Sequence, residues 1–375
     1  MTTLLGEAVV DLAAIATNTE ILSSLARDEL MAVVKADGFG HGMLPVARTA
    51  LAHGATWLGV TSLAEAHALR DAGITAPVLS WMHLPDADFG AAIDADIDLS
   101  ASSLAHLTAI ARAAADVGVL ATVHLKLDTG LSRNGCPAYD WPALVARAAQ
   151  YELDGVLRVG GVWSHLASAD VPGDPSVAAQ LRVFAEGLAL VRSAGLSPWV
   201  CHVANSAGIV DVPQAHYDLV RAGIGLYGVE PIRGQRHGLR PAMTLRSRAI
   251  NVKRVPAGTG VSYEHQYVTG RETTLVLVPL GYADGVPRLL SNRGEVVVDG
   301  VRRRIAGRVA MDQFVVDVGD MPAEIGDDVL LFGPGTHGEP TVVEWADWAG
   351  TNAHEILTGI GARVPRRYLP VPGTE

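Results

Sequence analysis

Between residues 30 and 230 the pattern of apolar and polar positions alternates between two kinds of segment. Eight short β-rich runs read as strands: MAVVKA (31–36), TWLGVTS (56–62), APVLSWM (76–82), DIDLSAS (96–102), TVHLKLD (122–128), GGVWSHL (160–166), PWVCHVAN (198–205) and LVRAGIGLYG (219–228). Between them lie longer helical patterns such as LPVARTALAHG, SLAEAHALRDAG, SLAHLTAIARAAADVG and AAQLRVFAEGLALVRSAG, with glycine near several expected C-caps. Eight strand–helix units in roughly 200 residues fit an α/β fold of the (β/α)8 TIM-barrel type better than an open doubly wound sheet.

After Pro241 the period changes to strict alternation. MTLRSRAINVKRV, TTLVLVPLGY, EVVVDGVRRRIAG, QFVVDVG and DVLLFG predict short strands, and Asp299-Gly300 predicts a type I′ hairpin turn between VVV and VRRRI. The second half is therefore expected to be a mostly β domain. The segment EPIRGQRHGLRP (230–241), rich in glycine, proline and charge, marks the boundary, giving a barrel over 1–235 and a β domain over 236–375.

Composition narrows the function classes. Hydrophobic residues make up 49% of the 375 positions, yet no apolar run reaches the roughly 18 residues that span a bilayer, so no membrane partner is expected. The formal net charge is −11 and no basic cluster is denser than Arg302–Arg304, which argues against nucleic acid. Cys136 and Cys201 cannot form a disulfide framework, and the first residues lack the basic region of a signal peptide, so a cytoplasmic setting is expected. No metal site is expected.

In a barrel of this kind the reacting groups come from the C-terminal ends of the strands. The first run ends at Lys35, the fifth supplies Lys126 and Asp128 followed by Arg133, and the sixth ends at His165. The seventh supplies Asn205 and Ser206, and the eighth carries Arg221, Gly223 and Ile224. One such residue alone is what a solvated strand end commonly carries. Five strands ending in cations, imidazole and amide point instead to an anionic ligand at one mouth. SAG (206–208) and AGIG (222–225) offer backbone N–H groups, and Ser206 is placed to open a short helix that accepts a phosphate. A phosphate beside a lone lysine suggests pyridoxal phosphate, whose aldehyde forms a Schiff base with a lysine amine.

AVVKADGFGHG resembles the cofactor-attachment segment of alanine racemases. The likeness continues in the same order through HLKLDTGLSRNG, WSHLASAD, HVANSAG, VRAGIGLYG, VSYEHQY, LGYADGVPR, GRVAMDQ and ARVPRRY, across nearly the whole chain. The resemblance implies a homodimer with shared active sites. It implies an isomerase that interconverts L- and D-alanine by a two-base pyridoxal-phosphate mechanism and supplies D-alanine for peptidoglycan.

By the same resemblance Lys35 holds the cofactor and acts as base on one face of the substrate Cα. Tyr263, from the partner's β domain, acts on the other. His165 and Arg221 link that tyrosine to the pyridine nitrogen. Because arginine stays protonated, Arg221 leaves the ring nitrogen unprotonated, a weaker electron sink that disfavours transamination. Arg133 is expected at the cofactor phenolate and substrate carboxylate, with Lys126 as a possible carbamylated lysine that orients it. Asn205, Ser206, Gly223 and Ile224 are expected at the cofactor, and the Met311 N–H at the substrate carboxylate. Asp170, Tyr282, Arg288 and Arg308 are expected to line the entrance.

Two positions depart from the family pattern. Phe39 and His354 stand where many relatives carry tyrosines near the phosphate. The two absent hydroxyls represent about 0.5–1.5 kcal/mol each, and His354 is a candidate to replace one of them. Side-chain selectivity is therefore open, including a racemase for serine or for a broader range. A decarboxylase of the same plan generally has an acidic partner for the ring nitrogen and a substrate-binding cysteine, whereas Arg221 stands here and no cysteine follows Cys201. A non-catalytic pyridoxal-phosphate carrier resembles the barrel alone and lacks the segments holding Tyr263 and Met311.

Overall fold

The computed structural model describes residues 5–373. The eight expected strands form one parallel sheet, as Glu29–Val33, Trp57–Val60, Val78–Ser80, Asp98–Ala101, Ala121–Lys126, Leu157–Trp163, Val200–His202 and Leu219–Ala222. The first strand also pairs with the eighth, Ala32 opposite Ala222, which curls the sheet into a barrel. The seventh and eighth approach through single bonds, Asp218 N–H to Cys201 O and Arg221 N–H to Ala204 O, both 3.1 Å.

Side chains alternate across each strand. Leu30, Leu58, Val78, Leu99, Val123, Val162 and Val220 pack in the main core with the helices. The opposite positions on five strands, Met31, Trp57, Leu79, Val200 and Leu219, form a separate apolar cluster that fills the barrel interior. Further inward positions are polar: Asp98, His124, Lys126, His202 and Arg221 are all buried.

The helices start where the sequence offers caps. Ser62 and Glu65 make a capping box on Leu63–Asp71. Ser103 caps Leu104–Val117, which ends on Gly118 in the left-handed region.

The second half contributes eight strands to a nine-stranded sheet, the last of them Arg366–Leu369. Asp299 and Gly300 have φ of 43° and 75°, with Val298 opposite Val301, which is the expected primed hairpin. The ninth strand is Gly6–Asp11. Gly6–Asp11 runs antiparallel to Met243–Arg248 and parallel to Arg366–Leu369. This strand precedes the barrel in the chain, yet it belongs to the β sheet. The expected division at 235 had assigned it to the barrel, because its partners lie over 200 residues away and leave no local signal.

The junction rests on a buried amide. On the helix Leu12–Leu25, the Asn18 side chain donates to Leu226 O (3.0 Å) and Arg240 O (2.9 Å) and accepts from Arg240 N–H (2.7 Å). Gly228, at φ 83°, lies so close to Arg240 O that a Cβ would sit 1.8 Å from it. Asn18→Ala leaves three backbone groups without a partner and is expected to destabilise the protein by about 2–4 kcal/mol in denaturant melts at fixed protein concentration. A loss below about 0.5 kcal/mol would show that water replaces the amide.

Candidate active site

The first barrel strand ends at Val33, short of the lysine, and the chain then turns in an uncommon sense. Ala36, Asp37, Gly38 and Phe39 all have positive φ, between 52° and 60°. For a residue with a Cβ this conformation costs roughly 1–2 kcal/mol, so the turn needs external support. The Ala36 N–H donates to Glu65 Oε1 (2.7 Å) and the Met43 N–H to Asp37 Oδ1 (2.8 Å). Arg366 Nε donates to Gly40 O at 2.9 Å. The Tyr227 hydroxyl donates to Val33 O (3.0 Å) while its ring stacks on Phe39 at 4.6 Å. Lys35 is thus mounted on a rigid support at the mouth.

The chain contains three lysines, and two of them stand here. Burial, Arg133 and Arg221 together lower the pKa of Lys35. Burial is also the main cause for Lys126, which is pushed down to about 7 with help from Arg221, Arg133 and Lys35. Its Nζ sits 4.0 Å from the centre of the Trp163 ring, and Arg221 lies on the same ring at 5.0 Å. Lys35 Nζ is 5.8 Å from the Trp81 ring.

Arg221 organises this cluster. Burial lowers its pKa to about 9, which leaves it charged at neutral pH. One terminal nitrogen donates to His202 Nδ1 (3.0 Å), and the other to Ser164 O (2.8 Å), Val203 O (3.1 Å) and His165 Nδ1 (3.1 Å). A guanidinium has no lone pair to offer, so His165 must carry its proton on Nε2. Burial and the adjacent Arg221 hold His165 well below the usual histidine range, so it is neutral. Among the described residues the Arg221 Nε–H has no acceptor.

The expected anion side is also assembled. Asn205 Oδ1 accepts from Gly208 N–H (2.9 Å) and caps the short helix Ser206–Asp211. The Ser206 hydroxyl accepts from Gly223 N–H (3.0 Å) and Gly225 N–H (3.2 Å), which leaves its own proton to donate. Ile224 opens a 3-10 turn, where the first N–H groups have no acceptor within the turn. The His354 ring lies 5.8 Å from Phe39. Desolvation and the Lys35 charge lower its pKa, while Asp170 opposes them. This mouth fits a ligand with an aldehyde for Lys35, an anionic group for Ser206 and the nearby N–H donors, and a ring acceptor for the free Arg221 Nε–H.

The other expected residues lie apart, on the β domain. Tyr263 is 67% exposed on a turn where Ser262, Glu264 and His265 all have positive φ. Arg308 pairs with Glu264 at 2.5 Å, and the Ser262 hydroxyl donates to Arg308 O at 2.7 Å. Met311 and Tyr282 are exposed on adjoining loops joined by Tyr282 N–H to Ala310 O (3.0 Å) and Ala283 N–H to Met311 O (2.9 Å). Arg288 is exposed as well. Among the described residues none of these five shares a hydrogen bond, ion pair or ring contact with the barrel mouth.

Several site residues escaped the sequence reading. Glu65 signals itself only as the third residue of a capping box. Trp81, Trp163 and His202 sit at positions whose inward direction becomes visible only once the strand register is known.

A parallel barrel with a lysine-bearing, cationic mouth, followed by a β domain, is the architecture of two-domain amino-acid racemases. The family model for the alanine racemase N-terminal domain matches residues 10–231, and that for the C-terminal domain matches 242–368. The chain is 56% identical over 369 residues to an alanine racemase of Frankia casuarinae, with 96% of each chain covered. The crystal structure of alanine racemase from D-cycloserine-producing Streptomyces lavendulae is similar with a TM-score of 0.96 at 48% identity, covering 99% of this chain and 98% of that one. Alanine racemase from Bacillus anthracis with bound L-Ala-P is similar with a TM-score of 0.92 at 33% identity, covering 99% and 96%. The chain belongs to the alanine racemase family.

The Lys126 shift predicts a pH dependence of stability. A lysine whose folded pKa is about 7 and whose unfolded value is ordinary penalises folding while it is charged. That penalty disappears as pH rises from 7 towards about 10.4, the reference lysine value. Wild type should therefore gain on the order of a few kcal/mol relative to Lys126→Met over this window, in denaturant melts in CO2-free buffer. Parallel pH profiles would mean that Lys126 titrates as an exposed lysine.

Proposed function

We propose that the protein racemises alanine with pyridoxal phosphate held on Lys35, as a homodimer in which each active site joins one subunit's barrel mouth to the partner's β domain. The observation that carries this reading is the Lys35 amine, mounted on a braced turn at the mouth, where burial and the charges of Arg133 and Arg221 favour its neutral, nucleophilic form. The cofactor, when bound, supplies the electron sink that makes the substrate Cα proton acidic. D-Alanine made this way would serve peptidoglycan synthesis.

Lys35 then holds or releases a proton at Nζ on one side of Cα, and the phenol oxygen of Tyr263 of the partner subunit does so on the other. The exposure of Tyr263 and its separation from the mouth of its own chain support this division. Since Arg221 occupies Nδ1 of His165, the Nε2–H is left to donate to the phenolate. Such a bond lowers the phenol pKa towards working pH. The Arg221 Nε–H is assigned to the pyridine nitrogen, where a donor that cannot be removed keeps the ring unprotonated.

Arg133 presents a planar fork to the substrate carboxylate, joined by the N–H of Met311 of the partner subunit. Ser206, Gly223 and Ile224 hold the phosphate. With its pKa below the ordinary histidine value, His354 joins them at neutral pH as an uncharged donor. Lys126, with its pKa pushed down to about 7, is partly neutral at that pH and so has the free lone pair needed to add CO2, and the carbamate places an anion among the cations of the mouth. Asp170, Tyr282, Arg288 and Arg308 border the route in. Among the described residues no helix is long and apolar enough to cross a membrane.

Chiral analysis of alanine incubated with the purified protein and pyridoxal phosphate should show interconversion of the two enantiomers. Borohydride reduction should fix the cofactor on Lys35, as read by peptide mass. Lys35→Ala and Tyr263→Phe should each be nearly inactive. Co-expression in equal amounts makes about half of the dimers mixed, each with one complete site, so about a quarter of wild-type activity should return. If mass analysis demonstrates mixed dimers and activity stays at the level of the single mutants, the shared site is refuted.

A further inference from the structure

Arg221 is buried deep in the barrel, and among the described residues no carboxylate lies within ion-pair distance of it. Its direct partners are two carbonyls and two imidazoles. A buried cation is normally paired, and an unpaired one shifts its pKa or draws on a network. Beyond His202 such a network continues. His202 Nε2 lies 3.0 Å from His124 Nδ1, and His124 Nε2 lies 3.2 Å from Asp98 Oδ2. The two histidines are fully buried and the Asp98 side chain is 12% exposed. All four residues occupy inward positions on the fourth, fifth, seventh and eighth barrel strands. Trp57 and Trp163 pack against the imidazoles, Trp163 stacked on His202 at 5.4 Å, and close the line to lateral slippage.

The chemistry of the two ends gives this line a direction. Arg221 only donates, so His202 Nδ1 must accept and Nε2 must carry the proton. His202 then donates to His124 Nδ1, which obliges His124 to carry its proton on Nε2 and donate it to Asp98. A carboxylate at that end only accepts, so every donor meets one acceptor. Arg70 is near enough to act on Asp98 electrostatically, but its own bonds go to the carbonyls of Ala95, Ile74, Ala76 and Asp96.

We propose that Asp98 is a remote positioning residue: through His124 and His202 it fixes the proton arrangement that holds Arg221 in place as a donor. The line links the start of the fourth strand to the catalytic mouth through the barrel interior. An amide at position 98 can donate as well as accept, so it permits the reversed arrangement. His124 would then donate from Nδ1 to His202 Nε2, and the His202 Nδ1–H would face an Arg221 N–H. Two opposed donors displace the guanidinium from the position assigned to it above. The proton arrangement stands regardless of the reaction; the effect on reaction specificity rests on the proposed racemase function.

The test compares wild type with Asp98→Asn, both as dimers loaded with pyridoxal phosphate and with 15N-labelled histidine. Nitrogen NMR should show His124 and His202 of wild type as Nε2–H tautomers, assigned with His124→Gln and His202→Gln. Asp98→Asn should show a protonated Nδ1 on at least one of these rings. The kcat for alanine should fall by roughly tenfold or more with KM little changed, the loss expected when one hydrogen bond to a charged group weakens. The yield of pyruvate per racemised alanine should rise, since pyruvate leaves when the amino group stays behind on the cofactor. If a folded Asp98→Asn keeps both tautomers, or keeps the wild-type pyruvate ratio despite a lower kcat, Asp98 is merely structural and the proposal fails. If that variant does not fold, Nδ1–H on either ring of wild type overturns the proposal by itself. A protein that keeps the expected tautomers but racemises no alanine would overturn the proposed function and leave the role of Asp98 standing.

Discussion

The mouth of this barrel is built around a positive charge that cannot be titrated away under working conditions. Arg221 is buried, donates at every bond it makes and repels the cations around it. From these properties follow the tautomers of His165 and His202 and part of the depressed pKa of Lys35 and Lys126. The barrel interior supplies what such a charge requires: carbonyls at strand ends, imidazoles that accept, the face of Trp163, and a carboxylate kept at a distance. A carboxylate in direct contact would relieve the burial more simply. It would also weaken the field that helps to lower the pKa of the two lysines.

The β domain faces a different constraint, because Tyr263 stands exposed and, among the described residues, shares no hydrogen bond, ion pair or ring contact with the barrel mouth. Tyr263 stands on a turn with three strained neighbours, clamped by the pair Arg308–Glu264 and by Ser262. Strain of this kind persists where surrounding structure over-determines it, and it keeps an exposed side chain from folding back onto the sheet. Presentation of this residue and assembly of the mouth are thus separate problems, solved by separate parts of the chain.

How far the sequence disclosed this depended on whether a residue's role was local. The eight strands were legible from period and turn chemistry, and Lys35, His165, Ser206 and Arg221 from their place at strand ends. The Asp299-Gly300 hairpin was legible because a primed turn has few residue choices. The positive φ of Ala36, Asp37 and Phe39 was not, since nothing in those side chains asks for it; the bonds from Met43, Tyr227 and Arg366 and to Glu65 impose it. Asp98, His124 and His202 were hidden for another reason. Inside a strand a polar residue reads as solvent-facing, and only closure of the barrel turns that face inward. Tyr263 carried no signal of its own, and its significance came entirely from likeness to the family.

The strand Gly6–Asp11 ties the order of synthesis to the order of folding. It is made before the barrel, yet both of its neighbours in the sheet, Met243–Arg248 and Arg366–Leu369, follow the barrel in the chain. Until they are made it is an exposed apolar edge immediately before the first barrel helix, the kind of segment that pairs with other chains when left waiting. A growing chain therefore carries this strand without a sheet partner for as long as the whole barrel takes to be made, and the first partner to become available is the antiparallel strand Met243–Arg248.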